Sequence, residues 1–175
     1  MDFQFGDGNV SVRRGRFGAV TGLIVDLMPA RMGSRRAEGC VIFVTVEDEE
    51  GNTVNFIMSP ATYVADFDTL SVGMNGTFWY ELDAPAPLIY PPQYNAVVAA
   101  KEKRGRMVDV DYYDAGLLNE AHTLQLNLDG SVEVRTTNNQ LFQGSPAGHN
   151  LVVEYDSSTR SIPAQTTPKR IVVLC

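Results

Sequence analysis

The sequence predicts an all-β protein made of two small barrels in tandem. Short runs rich in Val, Ile, Phe and Tyr recur along the whole chain, Gly, Pro, Asn and Asp punctuate them, and helical spacing of apolar residues is scarce. Folding a chain of 175 residues buries roughly 70% of its unfolded surface, so a self-sufficient core is expected in one large domain or two small ones. The apolar share of 44% and charged share of 20% are those of an ordinary globular protein.

The strand signals run in order through Gly18 to Asp26, Cys40 to Glu47, Thr53 to Met58, Gly76 to Leu82 and Tyr94 to Ala100. CVIFVTVEDEEGNTVNFIM reads as a hairpin, because Glu49, Glu50, Gly51 and Asn52 separate two β-branched runs and glycine tolerates positive φ. Only Pro60 to Phe67 and Ala115 to Glu120 resemble short helices. The second half repeats the layout in degenerate form, through Val108 to Tyr113, Thr123 to Leu128, Ser131 to Thr136, Leu151 to Tyr155 and Ile171 to Leu174, with Asp129-Gly130 matching Gly51-Asn52. FWYELDAPAPLIYPPQYNAVVAA in the first half faces VVEYDSSTRSIPAQTTPKRIVVL in the second. Each is an aromatic or apolar strand, a Pro-containing excursion and a Val-rich strand. The polar run KEKRGR, Lys101 to Arg106, is the expected boundary, a segment that water can solvate. The expected units are therefore residues 1–103 and 104–175, each a partly open OB-like barrel, with a β-sandwich as the alternative. Five strands leave edges exposed, so close packing of the two units or self-association is expected to cover them.

A net charge of -7 creates no long-range field that favours phosphate backbones, which argues against nonspecific nucleic-acid binding. The opening MDFQFGDGNVSVRRGRFG lacks the roughly seven consecutive apolar residues of a secretory signal, and no apolar stretch reaches the roughly 18 residues of a membrane span. A cytoplasmic protein without membrane insertion is expected. Cys40 and Cys175 are too few for a disulfide framework; Cys40 reads as a small buried hydrophobe and Cys175 as accessible.

Chemistry-bearing segments are few. In DAPAPLIYPPQY, Asp83 to Tyr94, prolines alternate with Leu88, Ile89, Tyr90 and Tyr94. Fixed proline φ values favour an extended loop that holds its rings at low entropic cost. Such a loop closes the barrel over its own Leu, Ile and Tyr, or it presents a partner-binding surface at Tyr90, Pro91, Pro92 and Tyr94. Its counterpart, Ser158 to Arg170, sets Arg160, Lys169 and Arg170 beside hydroxyls, a composition for binding an anion or for satisfying its own backbone. Six of the eleven arginines, Arg13, Arg14, Arg16, Arg31, Arg35 and Arg36, precede the second strand. In an OB-like barrel, Arg31, Arg35 and Arg36 lie on the loop joining the first two strands, where such barrels contact single-stranded nucleic acid, with Phe43, Phe56 and Trp79 as aromatic candidates. The alternative is a solvated basic loop and core aromatics.

No catalytic residue, metal site or cofactor is expected. His122 and His149 stand alone, without a second ligand at metal spacing, and the acidic run Glu47 to Glu50 lacks the glycine-spaced pattern of a calcium loop. A small-ligand or hydrolase site between the units, near His149 and Arg160, is the remaining alternative.

Four segments carry a family resemblance: Asn55 to Phe56, Ser59 to Tyr63, Ile89 to Tyr94 and Ser161 to Pro168. Through these the chain, from about Phe17 to Cys175, resembles a family of Gram-positive bacterial proteins with tandem OB-like β-barrels. The resemblance implies membership and architecture, and no reaction. The function expected from all of this is a noncatalytic binding or assembly module with a protein partner or a second copy of itself.

Overall fold

The computed structural model describes residues 14–30 and 38–175, and it is all-β. The strands are β1 (Phe17–Pro29), β2 (Ile42–Glu47), β3 (Thr53–Met58), β4 (Tyr63–Val64), β5 (Asn75–Glu81), β6 (Gln93–Asn95), β7 (Val98–Lys101), β8 (Met107–Tyr113), β9 (Leu124–Leu126), β10 (Glu133–Thr136), β11 (His149–Tyr155), β12 (Ala164–Thr166) and β13 (Arg170–Leu174). No helix among the described residues is long and apolar enough to cross a membrane.

The first half is organised by the long β1. Its leading part pairs antiparallel with β5 and its trailing part with β2, and the register shifts between Ile24 and Asp26. A bulge of this kind lets one strand turn between two neighbours. Gly22 sits opposite Gly76 at this crossing, and a Cβ at Gly22 would lie 2.2 Å from the Glu47 carbonyl oxygen. The hairpin β2–β3 keeps the register Glu47 with Thr53. Its tip is set by Gly51 at φ 81 and by the Asp48 carboxylate, which accepts from the Glu50 and Asn52 backbone N–H groups at 3.0 and 2.9 Å. β3 then pairs in parallel with β6, while β7 pairs antiparallel with β5. β6 and β7 belong to one stretch whose middle donates from Ala96 N–H to the Ile57 carbonyl (2.9 Å) and from Val97 N–H to the Trp79 carbonyl (2.8 Å). The hydrogen-bonded path β5–β1–β2–β3–β6 therefore runs on through β7 and back to β5. Inside it, Ile24, Val44, Val46, Phe56, Phe78 and Ala99 are almost wholly buried. Each large side chain of this set contributes about 1.5–3 kcal/mol when removed from water.

In the second half, β8–β11 and β11–β13 are antiparallel, and β9–β12 and β10–β13 are parallel. These are the senses of β1–β5, β5–β7, β3–β6 and β4–β7. Tyr113, Leu124, Leu126, Leu151, Val153, Ile171 and Val173 form its core. A third cluster joins the halves, setting Tyr63, Ala65, Trp79, Val98 and Ala100 against Val110, Val152 and Val172. Strands β7, β11 and β13 thus bury both faces, which explains the apolar runs Val98–Ala100, Leu151–Val153 and Ile171–Leu174.

Several local expectations give way to long-range bonding. Pro60 to Phe67 forms β4 and one 3-10 turn at Ala65–Phe67, because Tyr63 N–H donates to the Val97 carbonyl and Thr62 Oγ1 to the Ala96 carbonyl (2.9 and 2.8 Å). Ala115 to Glu120 is a turn, since the Asp114 carboxylate takes the N–H groups of Gly116 and Leu118 and Leu117 adopts φ 62. β9 and β10 do not form a hairpin across Asp129-Gly130; each takes a parallel partner further along the chain. Cys40 is exposed, because it lies in the turn ahead of β2 and its side chain stays outside the strand.

Candidate interaction surface

The loop between β5 and β6 rises from an aromatic base. β5 alternates its rings: Phe78 enters the first core, Trp79 the junction with the second half, and Tyr80 lies on the Phe78 side near the strand end. Phe56 stacks on Phe78 with centroids 5.0 Å apart, and Tyr80 stacks on Tyr94 at 3.9 Å with planes 8° apart. Phe56 also meets Tyr80 and Tyr94 at 6.1 and 6.2 Å. Burial and the Tyr94 hydroxyl raise the Tyr80 phenol above its ordinary pKa. Further out, the Pro92 carbonyl accepts from Asn55 N–H at 2.8 Å, and the side chains of Arg16 and Asp83 form an ion pair at 3.1 Å.

The tip of this loop is bare. Leu88 is 103%, Ile89 53% and Tyr90 84% exposed. The expectation that the loop buries its own Leu, Ile and Tyr is therefore corrected, because the Tyr80–Tyr94 stack already closes the base and leaves the tip nothing to cover. The four sequence-nominated residues divide accordingly. Tyr90 stands at the exposed tip, Pro91 and Pro92 are half-buried, and Tyr94 belongs to the base. The Tyr90–Pro91 peptide is cis.

The basic residues fare differently. Arg31, Arg35 and Arg36 lie outside the described residues, as does Arg13. Arg14 pairs with Glu120 and lies 5.1 Å from the Tyr112 ring centroid, and Arg16 pairs with Asp83, so both are taken up within the chain. Phe56 and Trp79 are buried, and Phe43 is half-buried. Arg160 is exposed in the second loop, whose hydroxyls bond locally: Thr166 donates to the Ser157 carbonyl at 2.6 Å and Ser161 to the Pro163 carbonyl at 2.8 Å. His122 is exposed at φ 57, while the His149 ring meets the Ala147 carbonyl at 3.0 Å and sits edge-on to Phe142.

Arg170 enters a charged junction between the halves. Its guanidinium meets Asp66 at 2.9 Å and Glu133 at 3.1 Å, with Glu154 at 3.8 Å. From the boundary segment, Arg106 meets Asp66 at 2.6 Å and donates to the Lys101 carbonyl, and Lys103 meets Asp68 at 2.7 Å. Burial opposes ionisation of Asp66, yet the Arg106 hydrogen bond and the surrounding cations hold its carboxyl below the ordinary range. Glu154, 7% exposed, keeps a raised pKa because desolvation outweighs its distant cations. Tyr63 beside it is pushed up to about 12 by burial and the Glu154 charge. KEKRGR is thus a structural connector, with the Arg106 side chain only 11% exposed. Sequence reading missed Asp66, Asp68 and Glu154, although the short acidic pair in DFD and the basic run KEKRGR are complementary. A second buried group was also missed, in which Tyr113 and Asn119 donate to Asp109 at 2.5 and 3.3 Å.

Among the described residues, no group of three or more His, Cys, Asp or Glu side chains is arranged to hold a metal ion. The arrangement therefore offers an exposed apolar tip on a ring-stacked base and a charged seam at the junction. Comparison with protein-family models, with curated proteins and with solved structures gives no match in any of the three, so these two features carry the functional reading.

Proposed function

We propose that the protein is a noncatalytic binding or assembly module that engages a protein partner through the tip of the β5–β6 loop. The observation that carries this reading is the run Leu88, Ile89 and Tyr90, three large side chains exposed in succession on a proline-framed loop. Exposed apolar clusters on a rigid base suit insertion into a concave partner, since a stiff loop loses little entropy on binding. We read the loop as carried on an OB-type barrel, a reading supported by the returning path β5–β1–β2–β3–β6/β7 with its parallel β3–β6 and antiparallel β5–β7 pairs. The units 1–103 and 104–175 are read as two copies of it, the second shortened, on the strength of the four matching pairings. The resemblance to tandem-barrel proteins of Gram-positive bacteria agrees with that reading.

Photo-crosslinking from position 89 tests the loop assignment. A crosslinker there is expected to yield a discrete protein adduct, lost when Leu88 and Tyr90 are replaced by Ser in a folded variant. A crosslinker at Ile162, which at 94% is more exposed than Ile89 at 53% and lies in the second loop, supplies the control. The same adducts from both positions would defeat the assignment.

A further inference from the structure

We infer that the partner met by the β5–β6 loop tip is a second copy of the chain, which receives Leu88, Ile89 and Tyr90 in the groove beside β4. This rests on the loop-tip reading above and names the partner which that reading leaves open. The groove lies between the halves and encloses about 350 Å³, within the range of ligand pockets. Its walls are residues 60–64 and Phe67 from the first half and Thr137 and Asn138 from the second, and none of these is charged.

Charge selects the occupant. Two copies of net charge -7 repel each other, so they approach at least cost where neither surface carries charge. The three longest stretches free of Asp, Glu, Lys and Arg are 51–65, 84–100 and 136–153. The second of these carries the tip, and the first and third supply the whole groove except Phe67. Tip and groove therefore meet without burying an unpaired charge. The groove also presents a fixed ring. Phe67 is 68% exposed, and its backbone sits at φ 51, a region that bulky residues rarely adopt. Asp66 before it is tied down by Arg106 and Arg170 at 2.6 and 2.9 Å, and the Phe67 ring stands edge-on to Tyr63 with centroids 6.4 Å apart. An exposed ring held in this way loses little entropy when Leu88 or Tyr90 packs on it. Leu88 is 103% exposed, so the tip does not fill the groove of its own chain. Because tip and groove are different surfaces, the joint is heterologous, and it leaves a free tip and a free groove for further copies.

Sedimentation velocity on the purified full chain, at concentrations up to roughly 100 μM where small interfaces populate, tests this with two variants checked for folding by circular dichroism. The tip variant carries Leu88→Ser and Tyr90→Ser; the groove variant carries Phe67→Ser and Thr137→Glu. The parent is expected to form multimers that grow with concentration, and each variant to remain monomeric. An equimolar mixture of the variants is expected to form a complex of one chain of each, since the groove of one and the tip of the other are intact. A monomeric parent, either variant assembling as the parent does, or a mixture that stays monomeric overturns the second copy as partner. Crosslinking from position 89 separates this failure from that of the loop-tip reading. A monomeric parent that still yields a tip-dependent adduct with another protein in cell extract overturns only the second copy, whereas no adduct with any protein overturns both.

Discussion

The two proline-bearing excursions occupy corresponding places, each leaving an antiparallel strand and returning through a short parallel one, yet they are held in opposite ways. The loop ahead of β6 is anchored by rings, Tyr80 on Tyr94 with Phe56 behind them, and its tip hydrophobics remain exposed. The loop ahead of β12 is anchored by hydroxyls. Thr159 and Gln165 exchange bonds, with Thr159 N–H donating to the Gln165 carbonyl and Gln165 N–H to Thr159 Oγ1, while Thr166 donates to Ser157. A loop that consumes its own donors and acceptors leaves Ile162 as its one large exposed hydrophobic, against three in succession on the first loop. A loop fixed at its base by stacking keeps its tip for intermolecular contact.

This contrast can be broken at its anchors. Tyr94→Ala is expected to cost about 2–3 kcal/mol in urea unfolding, since it removes a stacked ring and opens space beside Phe56. The corresponding change in the second loop is smaller. Thr166→Val is expected to cost about 1–2 kcal/mol, because its hydroxyl, in a residue 4% exposed, bonds the Ser157 carbonyl. A Tyr94 variant as stable as the parent would show that the rings do not hold the first loop.

The second excursion ends at Arg170 and so inherits the charged junction, which gives it an acid-side pH dependence through Asp66. Asp66 has a folded pKa below its ordinary value. Its contribution to stability is present above the unfolded carboxylate range and is lost as pH falls through the folded value, in the acid region below about pH 4. Asp66→Asn is expected to flatten the acid limb of the stability profile while lowering stability at neutral pH. Thermal unfolding across pH 2.5–7, a range set by the ordinary carboxylate values, reads this; an unchanged acid limb counts against the junction's role. At the tip of the first loop, replacing Leu88, Ile89 and Tyr90 by Ser is expected to change stability by no more than about 0.5 kcal/mol, as for other exposed positions.

Much of the strand layout was legible because period-two alternation and turn residues are local signals. Thr53–Met58 coincides with its expected bounds, and the Gly51-Asn52 hairpin lies where positive φ requires it. What escaped is nonlocal. Tyr63–Val64 and Ala164–Thr166 are strands only because β7 and β9 offer parallel partners roughly 35 to 40 residues away, a separation no local pattern records. The same holds for the junction: Asp66, Arg106, Glu154 and Arg170 come from four segments, and only the folded chain sets their charges together. The Pro/Tyr loop was recognisable by composition. Which of its rings faces outward was decided by the Tyr80–Tyr94 contact, a pairing across two strands.

The most direct test compares crosslinking from Ile89 with crosslinking from Ile162 in otherwise identical folded protein. The account predicts a defined protein adduct from position 89, abolished by serine at Leu88 and Tyr90, and none from position 162. Adducts of equal yield from both positions, or an adduct at 89 indifferent to its neighbours, would contradict the loop tip as the docking element.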